Sequence, residues 1–430
     1  MRPRLRRAIL GIATSAIATG IVWAAFSPVQ AHAAAGRIPI VRIGIEPAVA
    51  SARIGCGGPW KIGVMGGGGA IEDLPAGATW IFTAAGDLLR ARDHRGLDRG
   101  GGRDTLFVFP GSKDGPPLSV DGKPYRGELL VYASGGDETT VVNVLDIESY
   151  LRGVLPGEIG RGLDGGYEAL KAQAVAARSY TLAQMNRWRA RGFDLLATVD
   201  DQVYGGIESE RPETDQAVSE TCGVVALSDG APIQAYYSST CGGMTTTPEE
   251  VWGRPALPYL TAHRDAAGPG QEAFCAASPQ HRWRETWTGP EIEKILRATL
   301  ADVTGEKGAD RWGPLKDLRL KRRSASYRVE DLEITFAKKR FDLGGDKIRW
   351  ILRRPTGGPL RSAVVLKIEV ARRKGRVTGV GIDGAGYGHG VGLCQMGALG
   401  MARAGYDYQR ILRFYYRGAQ LVRAYERCPA

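Results

Sequence analysis

The sequence predicts an α+β fold with mainly antiparallel strands, a central alanine-rich helix and helices near the C-terminus. Three observations favour this class. Short runs that alternate apolar and polar residues, such as "TLFVFPG" and "ELLVYAS", fill the first third of the 430-residue chain. A long segment in the middle has helical periodicity. Strand and helix patterns then follow one another without the regular alternation that produces a parallel sheet.

The first residues have the composition of an export signal. "MRPRLRR" is basic, "AILGIATSAIATGIVWAAF" is apolar, and "AHA" ends at Ala33 in the pattern of a cleavage site. We therefore predict that residues 1–33 are a signal peptide cleaved near Ala33, and that the protein is exported to the periplasm or cell envelope. An uncleaved membrane anchor is the alternative, because the apolar run is nearly long enough to span a bilayer.

The charge of the chain favours an anionic partner other than nucleic acid. The formal net charge is +11, and subtracting the four arginines of the signal peptide leaves about +7 for the mature chain. The excess lies in short clusters such as "ARRKGR", which suit an anionic polymer or membrane surface, although such clusters are often only solvated faces. The sequence contains no nucleic-acid-binding motif, so a nucleic-acid partner is not expected.

The mature chain divides into two predicted regions. Residues 34–115 form an N-terminal β-rich region, and residues 116–425 form a larger region that carries the candidate functional residues. Residues 284–382 give mostly strand patterns with one helix, so they are predicted to be a β-rich insertion in the larger region. The chain ends with a glycine-rich loop and two helices, the second capped by Asp407.

Two helices and a hairpin are predicted in the middle of the chain. "IESYLRGVL" is typical of a short amphipathic helix that Pro156 and Gly157 interrupt. "EALKAQAVAARSYTLAQMNRW" then runs for about six turns, and its small residues would let it pack closely against its neighbours. In "TCGVVALSDGAPIQAYYSST", the turn signal "SDG" between two apolar runs predicts a β-hairpin.

Glu158 is a single acid that follows Pro156 and Gly157 at a predicted bend. Cleavage of a glycosidic bond needs an acid that protonates the leaving oxygen, and a Glu with a raised pKa is a usual donor. Ordinary glycoside hydrolysis needs a second carboxylate, but the nearby Asp146 and Glu168 are better explained as an N-cap and a helix-dipole partner. A reaction that uses one acid therefore becomes attractive. The structural alternative is that Glu158 only caps a helix.

At this point the motifs resemble a known family. "VVNVLDIESYLRGVLPGEI" and "EALKAQAVAARSYTL", followed in order by "DQVYGG", "AYYSSTCGG", "VWG", "PYL" and "GYGHGVGLCQMGA", are similar to the sporulation stage II protein D and LytB amidase-enhancer (SpoIID/LytB) family. The resemblance extends from about Ile38 to near Leu421. Each motif is short, but several of them in the same order make a specific signal.

The resemblance implies a lytic transglycosylase of peptidoglycan whose essential acid is Glu158. Glu158 would protonate the oxygen between N-acetylmuramic acid and N-acetylglucosamine. It would then take a proton from the muramoyl 6-hydroxyl as a 1,6-anhydro ring closes. The expected partners are peptidoglycan glycan strands and a cell-wall amidase. Part of this family is described as enhancing a separate amidase, so a non-catalytic glycan-binding enhancer is the alternative.

The resemblance also indicates residues of a substrate groove, each of which has a structural alternative. Ser238, Ser239 and Thr240 could hydrogen-bond sugar hydroxyls or form a turn. Gln202 is a groove candidate, and Tyr204 is either a groove or a core residue. His389 could contact substrate or Glu158, or be a buried structural histidine. Gln395 could be a hydrogen-bond anchor or a helix cap. The list of candidates is Gln202, Tyr204, Ser238, Ser239, Thr240, His389 and Gln395.

Six cysteines allow fifteen pairings, and the predicted export favours at least one disulfide. Some relatives bind zinc through a histidine and cysteines near the "STCGG" segment, but Tyr237 replaces that histidine here. We therefore expect no cofactor and favour a Cys241–Cys275 disulfide. A zinc site formed by Cys241, Cys275 and His263 is the alternative.

Overall fold

The computed structural model describes residues 37–63, 70–160, 164–426 and 428. The predicted signal peptide, residues 1–33, lies outside this part of the chain. None of the helices in the described part is long and apolar enough to cross a membrane. Within the described residues, eight α-helices and many mainly antiparallel strands in several sheets confirm the predicted α+β class.

Two antiparallel sheets make up the N-terminal β-unit, and its strands come from both sides of residue 115. The strands are β1 (Ile40–Val49), β2 (Ala52–Cys56), β3 (Trp60–Gly63), β4 (Ala70–Leu74), β5 (Thr79–Ala85), β6 (Leu88–Asp93), β7 (Asp98–Arg103), β8 (Thr105–Pro110), β9 (Leu118–Val120), β10 (Lys123–Tyr125), β11 (Glu128–Ala133) and β12 (Thr139–Asp146). One sheet has the order β1-β12-β11-β8-β3-β4, and the other has the order β10-β9-β2-β5-β6-β7. Residues 34–115 therefore share both sheets with the residues that follow them.

The helices follow the β-unit and form the layer that carries the candidate site. They are α1 (Ile147–Glu158), α2 (Tyr167–Gln184), α3 (Pro212–Glu220), α4 (Pro248–Trp252), α5 (Gly289–Thr304), α6 (Lys347–Ile351), α7 (Gln395–Arg403) and α8 (Tyr408–Tyr415). The predicted alanine-rich helix is α2, and it packs against α1, α3, α7 and α8. Five of its six alanines are buried, and these small side chains let several neighbours approach it closely.

Strand β13 (Leu195–Leu196) pairs with β1 in parallel and is the seventh strand of the first large sheet. The remaining strands form smaller sheets around the helices. They are β14 (Val224–Ser228), β15 (Ala231–Pro232), β16 (Tyr237–Ser238), β17 (Trp283–Thr288), β18 (Leu315–Arg323), β19 (Val329–Phe336), β20 (Arg340–Leu343), β21 (Val365–Arg373), β22 (Arg376–Gly384), β23 (Leu393–Cys394) and β24 (Gln420–Arg423). The predicted hairpin is β14–β15, with Asp229 and Gly230 at positive φ in its two-residue turn. The β16 strand pairs with β23 in parallel.

Residues 283–382, close to the predicted insertion at 284–382, have a hydrophobic core of their own. Its strands form two three-stranded sheets, β17-β22-β21 and β18-β19-β20, with α5 and α6 beside them. Trp283 at the start of the segment pairs with Gly384 at its end, so the chain enters and leaves at one place. The core of the rest of the chain is separate and contains α1, α2, α7 and α8.

Helix α1 starts directly after β12 and continues further than expected. The Asp146 side chain accepts a hydrogen bond from the Ser149 N–H at 2.9 Å, which makes Asp146 the N-cap that the sequence indicated. Pro156 and Gly157 were expected to interrupt this helix, but both lie inside its last turn, and Glu158 is its last residue. Pro156 has no N–H to donate to the Arg152 carbonyl, so the helix lacks one hydrogen bond there. Pro156 is nevertheless buried, and the Ile159 N–H donates to the Leu155 carbonyl and closes the last turn.

A buried ion pair fixes α1 to α2. The Arg178 guanidinium donates to both carboxylate oxygens of Glu148, at 2.8 and 2.6 Å, and the Gly223 N–H and the Tyr425 hydroxyl also donate to Glu148. Arg178 is fully buried and also donates to the Val224 carbonyl. The pair is therefore satisfied from several segments, as a buried charge requires.

The disulfide links Cys222 to Cys428, so the preferred Cys241–Cys275 pairing was wrong. Strand β24 lies antiparallel to β14, with Arg423 opposite Val224, and this pairing brings the C-terminus back to Cys222. The Cys241 and Cys275 sulfurs lie 3.7 Å apart without a bond, and both cysteines are buried and free. Sequence separation gave no indication of the Cys222–Cys428 pair, whose members are 206 residues apart.

Candidate functional site

Glu158 is partly buried at the C-terminal end of α1 and turns toward another segment of the chain. Its Oε1 accepts a hydrogen bond from the Val203 N–H at 2.7 Å. The next helix, α2, has Gly166 at its N-cap position and no side-chain cap bond, so Glu158 does not cap it. The capping alternative for Glu158 therefore has no support in this geometry.

Burial raises the pKa of the Glu158 carboxyl to about 7, while the hydrogen bond from the Val203 N–H acts in the opposite direction. The position adds to the first effect, because a negative charge is unfavourable at the C-terminal end of a helix. A carboxyl with a pKa near neutrality can hold a proton and release it under ordinary conditions. Glu158 therefore has the protonation behaviour of a general acid and base.

Gln202 is fully buried beside this carboxyl and connects three elements. Its side-chain amide donates to the Thr181 hydroxyl at 2.8 Å and to the Tyr150 hydroxyl at 3.2 Å. Its carbonyl accepts from the Tyr237 hydroxyl at 2.9 Å. Burial raises the pKa of both tyrosines, and the charge of Glu158 adds to this effect. Gln202 thus joins two phenol groups to the residue that precedes Val203.

Tyr204 occupies the core position that was the alternative to a groove role. Its side chain is buried, and its hydroxyl donates to the Asn143 side-chain carbonyl at 2.8 Å. Its ring lies against Tyr150, with 5.0 Å between the ring centroids. The ring also contacts α1 at Gly153, where a Cβ would come within 2.4 Å of it. Tyr204 therefore positions the segment that carries Val203.

The serine-rich segment, residues 238–240, and the glycine-rich loop "GYGHGVG" contact each other directly. The Gly390 N–H donates to the Ser238 hydroxyl at 3.0 Å, and Thr240 forms backbone hydrogen bonds with Tyr387 in both directions. The Thr240 hydroxyl lies 2.9 Å from the Ser278 hydroxyl. Ser238 and Thr240 are buried, whereas Ser239 is partly exposed. Of the three predicted hydroxyl groups, only that of Ser239 belongs to a partly exposed residue.

His389 lies on this loop next to the aromatic rings of Tyr236 and Trp252. Its Nδ1 accepts from the Val391 N–H at 3.0 Å, and burial lowers the pKa of His389 to about 3. The imidazole is therefore neutral at neutral pH, and the Tyr237 backbone forms a hydrogen bond with it. These contacts correspond to the structural alternative for His389, which holds the loop against β16.

Gln395 and the three predicted zinc ligands, Cys241, Cys275 and His263, were the remaining candidates. Gln395 is buried and donates to the Gln173 side chain on α2 at 3.4 Å, which is an anchor rather than a cap. The sulfurs of Cys241 and Cys275 are close together, as described above. The Nδ1 of His263 is within hydrogen-bond distance of the Thr245 hydroxyl and the Thr261 carbonyl. The residues whose ligand atoms cluster with the Cys241 and Cys275 sulfurs are Asp265 and Cys394 and do not include His263.

Comparison with known proteins finds two matching family models and several relatives. A family model described as "Stage II sporulation protein" matches residues 135–227, and one described as a domain of unknown function (DUF8618) matches residues 271–392. A stage II sporulation protein D of Bacillus amyloliquefaciens is 30% identical over 298 residues, which are 66% of this chain and 76% of that protein. The chain belongs to the SpoIID/LytB family. The family expectation from the sequence motifs is thereby confirmed.

Two further relatives show how much of this SpoIID/LytB chain is shared. An uncharacterized protein of Brachyspira hyodysenteriae is 32% identical over 306 residues, which are 71% of this chain and 74% of that protein. The amidase enhancer of Bacillus subtilis is 31% identical over 336 residues, which are 71% of this chain but only 45% of that relative. The amidase enhancer is thus a longer protein, of which this chain matches less than half.

Sequence reasoning missed two groups of the candidate site in this SpoIID/LytB chain. Tyr237 was noted only as a departure from the family pattern, yet its hydroxyl donates to Gln202, the residue before Val203. The Val203 N–H was not considered, because a backbone group leaves no signal in a sequence. "DQVYGG" and "AYYSSTCGG" did mark both segments, so the motifs located the site although the roles of individual residues differ.

Proposed function

We propose that this protein is an exported, peptidoglycan-cleaving lytic transglycosylase in which Glu158 is first the acid and then the base. The observation that carries the proposal is a single partly buried carboxyl whose pKa is raised to about 7. Burial, rather than a neighbouring acid, raises this pKa. A proton can therefore be given and regained at one group without a second carboxylate.

The reaction balances with Glu158 alone. The protonated carboxyl gives its proton to the glycosidic oxygen while the bond from that oxygen to the muramoyl C1 breaks, and N-acetylglucosamine leaves with a hydroxyl group. The carboxylate then takes the proton of the muramoyl 6-hydroxyl, and that oxygen bonds to C1 to form the 1,6-anhydro ring. The bonding electron pair of the broken bond leaves with the first oxygen. No water is consumed, and Glu158 is protonated again at the end.

The surrounding residues have separate tasks in this proposal. The Val203 N–H fixes one oxygen of the Glu158 carboxyl at 2.7 Å, which leaves the other oxygen available to the substrate. Gln202 acts through the hydroxyls of Tyr150 and Tyr237 and is therefore a positioning residue. The partly exposed Ser239 is the member of the serine-rich segment most accessible to a sugar hydroxyl.

The second candidate function is a glycan-binding module that enhances a cell-wall amidase. The observation that favours it is the similarity to the Bacillus subtilis amidase enhancer. In that case the groove would hold peptidoglycan without cleaving it, and Glu158 would contribute to binding only. The enzyme remains our proposal, because a binding role gives no reason for a carboxyl with a pKa near 7.

The experiment compares purified wild type with Glu158→Gln and with the control Glu208→Gln, which alters an exposed acid on a neighbouring segment. Each is incubated with peptidoglycan with and without its stem peptides, and the soluble products are analysed by mass spectrometry. We expect anhydromuramoyl ends from wild type and the control, and at least about a hundredfold fewer from Glu158→Gln. Glycan binding without release by the wild type would instead indicate the enhancer function.

A further inference from the structure

The positive charge of the mature chain is concentrated in the segment 283–382. This segment has 24 lysines and arginines and 13 aspartates and glutamates, which give it a net charge of +11. The rest of the mature chain has 29 basic and 33 acidic residues, which give a net charge of −4. Both signs of charge are normally interspersed over the surface of a soluble protein. The segment with a core of its own is therefore also the part of the chain that attracts anions.

Two edge strands of this segment lie side by side. Strand β18 is at the edge of one three-stranded sheet, and β21 is at the edge of the other. The Arg323 guanidinium donates to the Leu366 carbonyl at 3.1 Å, and the Lys316 ammonium donates to the Gly375 carbonyl at 2.9 Å. The end of β18 therefore meets the start of β21, and the start of β18 meets the turn that follows β21. From Lys316 to Arg323 this contact extends over about 23 Å.

We call β18, β21 and the turn after β21, residues 315–323 and 365–376, the cationic seam. It contains ten basic residues and only two acidic ones. The acids are already paired, Asp317 with Arg372 and Glu369 with Lys367. Within the described residues, five exposed cations of the seam form no ion pair: Arg319, Arg323, Arg373, Lys374 and Arg376. These five charges are available to an external anion.

One end of the cationic seam opens on a cavity that reaches the candidate site. Leu366 of β21 lines this cavity of about 390 Å³, and so does Cys241, which directly follows the serine-rich segment. The lining also contains two arginines, Arg264 and Arg282, and one acid, Glu272. The seam and the cavity together form one positively charged track, and this track ends beside the serine-rich segment.

We propose that this track binds the carboxylates of peptidoglycan stem peptides while the glycan strand that carries them lies beside Glu158. The identity of the polymer rests on the proposed function. Arginine suits such a partner, because its guanidinium can bind a carboxylate through two parallel hydrogen bonds. Stem peptides recur along a glycan strand, so a row of cations that leads away from the groove meets carboxylates of the same polymer.

The composition of the seam favours this polymer over a membrane surface. Proteins that bind a bilayer interface combine basic residues with apolar side chains that enter it. The exposed large apolar residues of the described chain include none from the seam, where the exposed side chains are mainly those of arginine and lysine. The seam therefore provides charge without the apolar contacts that a membrane would use.

The test measures binding of the full mature chain to peptidoglycan with and without its stem peptides. All proteins carry Glu158→Gln, so the polymer stays intact and the result does not depend on whether Glu158 is catalytic. The seam variant combines three substitutions in the turn after β21: Arg373→Gln, Lys374→Gln and Arg376→Gln. The control variant removes the same charge from exposed arginines of the N-terminal β-unit: Arg53→Gln, Arg90→Gln and Arg92→Gln.

Cosedimentation at several protein concentrations gives the dissociation constants. We expect the parent protein and the control variant to bind intact peptidoglycan at least about tenfold more tightly than stripped peptidoglycan. The seam variant should lose most of this preference. The affinity of the parent protein for intact peptidoglycan should also fall as the salt concentration rises, because salt screens exposed charges.

A charge-conserving variant, Arg373→Lys with Arg376→Lys, separates loss of charge from damage to the turn, and it should keep the preference for stem peptides. Equal binding of intact and stripped peptidoglycan by the parent protein would overturn the proposal, and so would an unchanged preference in the seam variant. Vesicles of phosphatidylcholine and phosphatidylglycerol are the third probe. Binding to these vesicles that the seam variant loses, without a preference for stem peptides, would assign the track to a membrane and overturn the proposal. Missing anhydromuramoyl products would instead overturn the proposed reaction and leave this binding result unchanged.

Discussion

At the scale of single residues, the protonation and orientation of Glu158 depend on three features of its surroundings. Burial raises its pKa, its place at the end of α1 acts in the same direction, and the Val203 N–H holds one oxygen in a fixed direction. The acid itself was indicated by the sequence, because its motif resembles that of the family. The raised pKa of this acid could not be predicted from the sequence, because Val203 is 45 residues away and burial depends on the whole fold.

The raised pKa of Glu158 predicts a dependence of stability on pH. A carboxyl whose pKa rises from 4.5 to about 7 on folding stabilises the folded state below pH 4.5, and this contribution is lost as pH rises through about 7. The loss is at most about 3 kcal/mol, at 1.36 kcal/mol per pKa unit. Glu158→Gln cannot ionise, so it should be more stable than wild type near pH 8 and similar to it near about pH 4.5.

Melting temperatures of wild type and Glu158→Gln across this pH range check the prediction. Glu208→Gln serves as the control, and its difference from wild type should stay nearly constant with pH, because Glu208 is exposed. A stability difference between Glu158→Gln and wild type that does not grow between about pH 5 and 8 would contradict a raised pKa at Glu158.

At the scale of elements, α1 approaches the segment 202–206 through Gly153. A Cβ at this position would lie 2.4 Å from the Tyr204 ring and 3.1 Å from the Gly206 carbonyl. Gly153→Ala should therefore push Tyr204 outward, cost about 1–3 kcal/mol of stability and lengthen the bond from Val203 to Glu158. Activity should fall more than the folded fraction does.

Thermal melts and turnover of Gly153→Ala, measured on the same sample, check this expectation. Gly268→Ala is a matched control, because its Cβ would meet only the Gln271 side chain at 3.9 Å. Full activity in a folded Gly153→Ala protein would show that the segment 202–206 does not position Glu158.

The Cys222–Cys428 disulfide should stabilise the pairing of β14 with β24. Closing a loop of this length in the unfolded chain corresponds to about 2–5 kcal/mol of stability. Cys428→Ser should lower the melting temperature by several degrees and increase hydrogen exchange in β24, while activity at low temperature is retained. The same loss of stability in wild type treated with a reductant would show that the disulfide bond is the cause. An unchanged melting temperature in both Cys428→Ser and reduced wild type would contradict the prediction.

The helices and strands also show which structural features can be predicted from sequence patterns. The long helix α2 and the hairpin β14–β15 were predicted from periodicity and turn residues, which are local properties. The continuation of α1 through Pro156 was missed, because proline disfavours a helix locally, whereas the burial of Leu155 and Pro156 that accompanies the last turn depends on the whole fold. The disulfide was missed because its pairing depends on strands that are distant in sequence.

At the scale of the whole molecule, the two cores meet beside the glycine-rich loop. Arg328 belongs to the segment 283–382 and is buried, and its Nε donates to the His389 carbonyl at 3.2 Å. A Cβ on Gly390 would come within 1.8 Å of the Arg328 guanidinium, so only glycine fits there. The segment was predicted as an insertion from its strand patterns, but its contact with the loop could not be predicted, because it requires the relative placement of two cores.

This arrangement predicts that residues 282–385 fold when expressed alone. The segment has the length of a typical small domain, its core contains Trp287, Leu296, Phe336 and other buried residues, and its two ends pair with each other. We expect a cooperative thermal transition and a dispersed NMR spectrum from the fragment. A fragment that melts gradually would show that the segment depends on the rest of the chain.

Arg328→Met tests whether Arg328 stabilises the segment 283–382 itself or holds the glycine-rich loop. In the isolated fragment Arg328 has lost the His389 carbonyl and keeps only its long hydrogen bonds to Ser326, so the substitution should cost less than about 1 kcal/mol. In the full chain the same substitution removes a charged donor from a buried carbonyl and should cost about 1–3 kcal/mol. It should also raise hydrogen exchange in the loop 388–392, which holds β16 and Tyr237. Equal effects in the fragment and the full chain would mean that Arg328 acts within its own core and does not hold the loop.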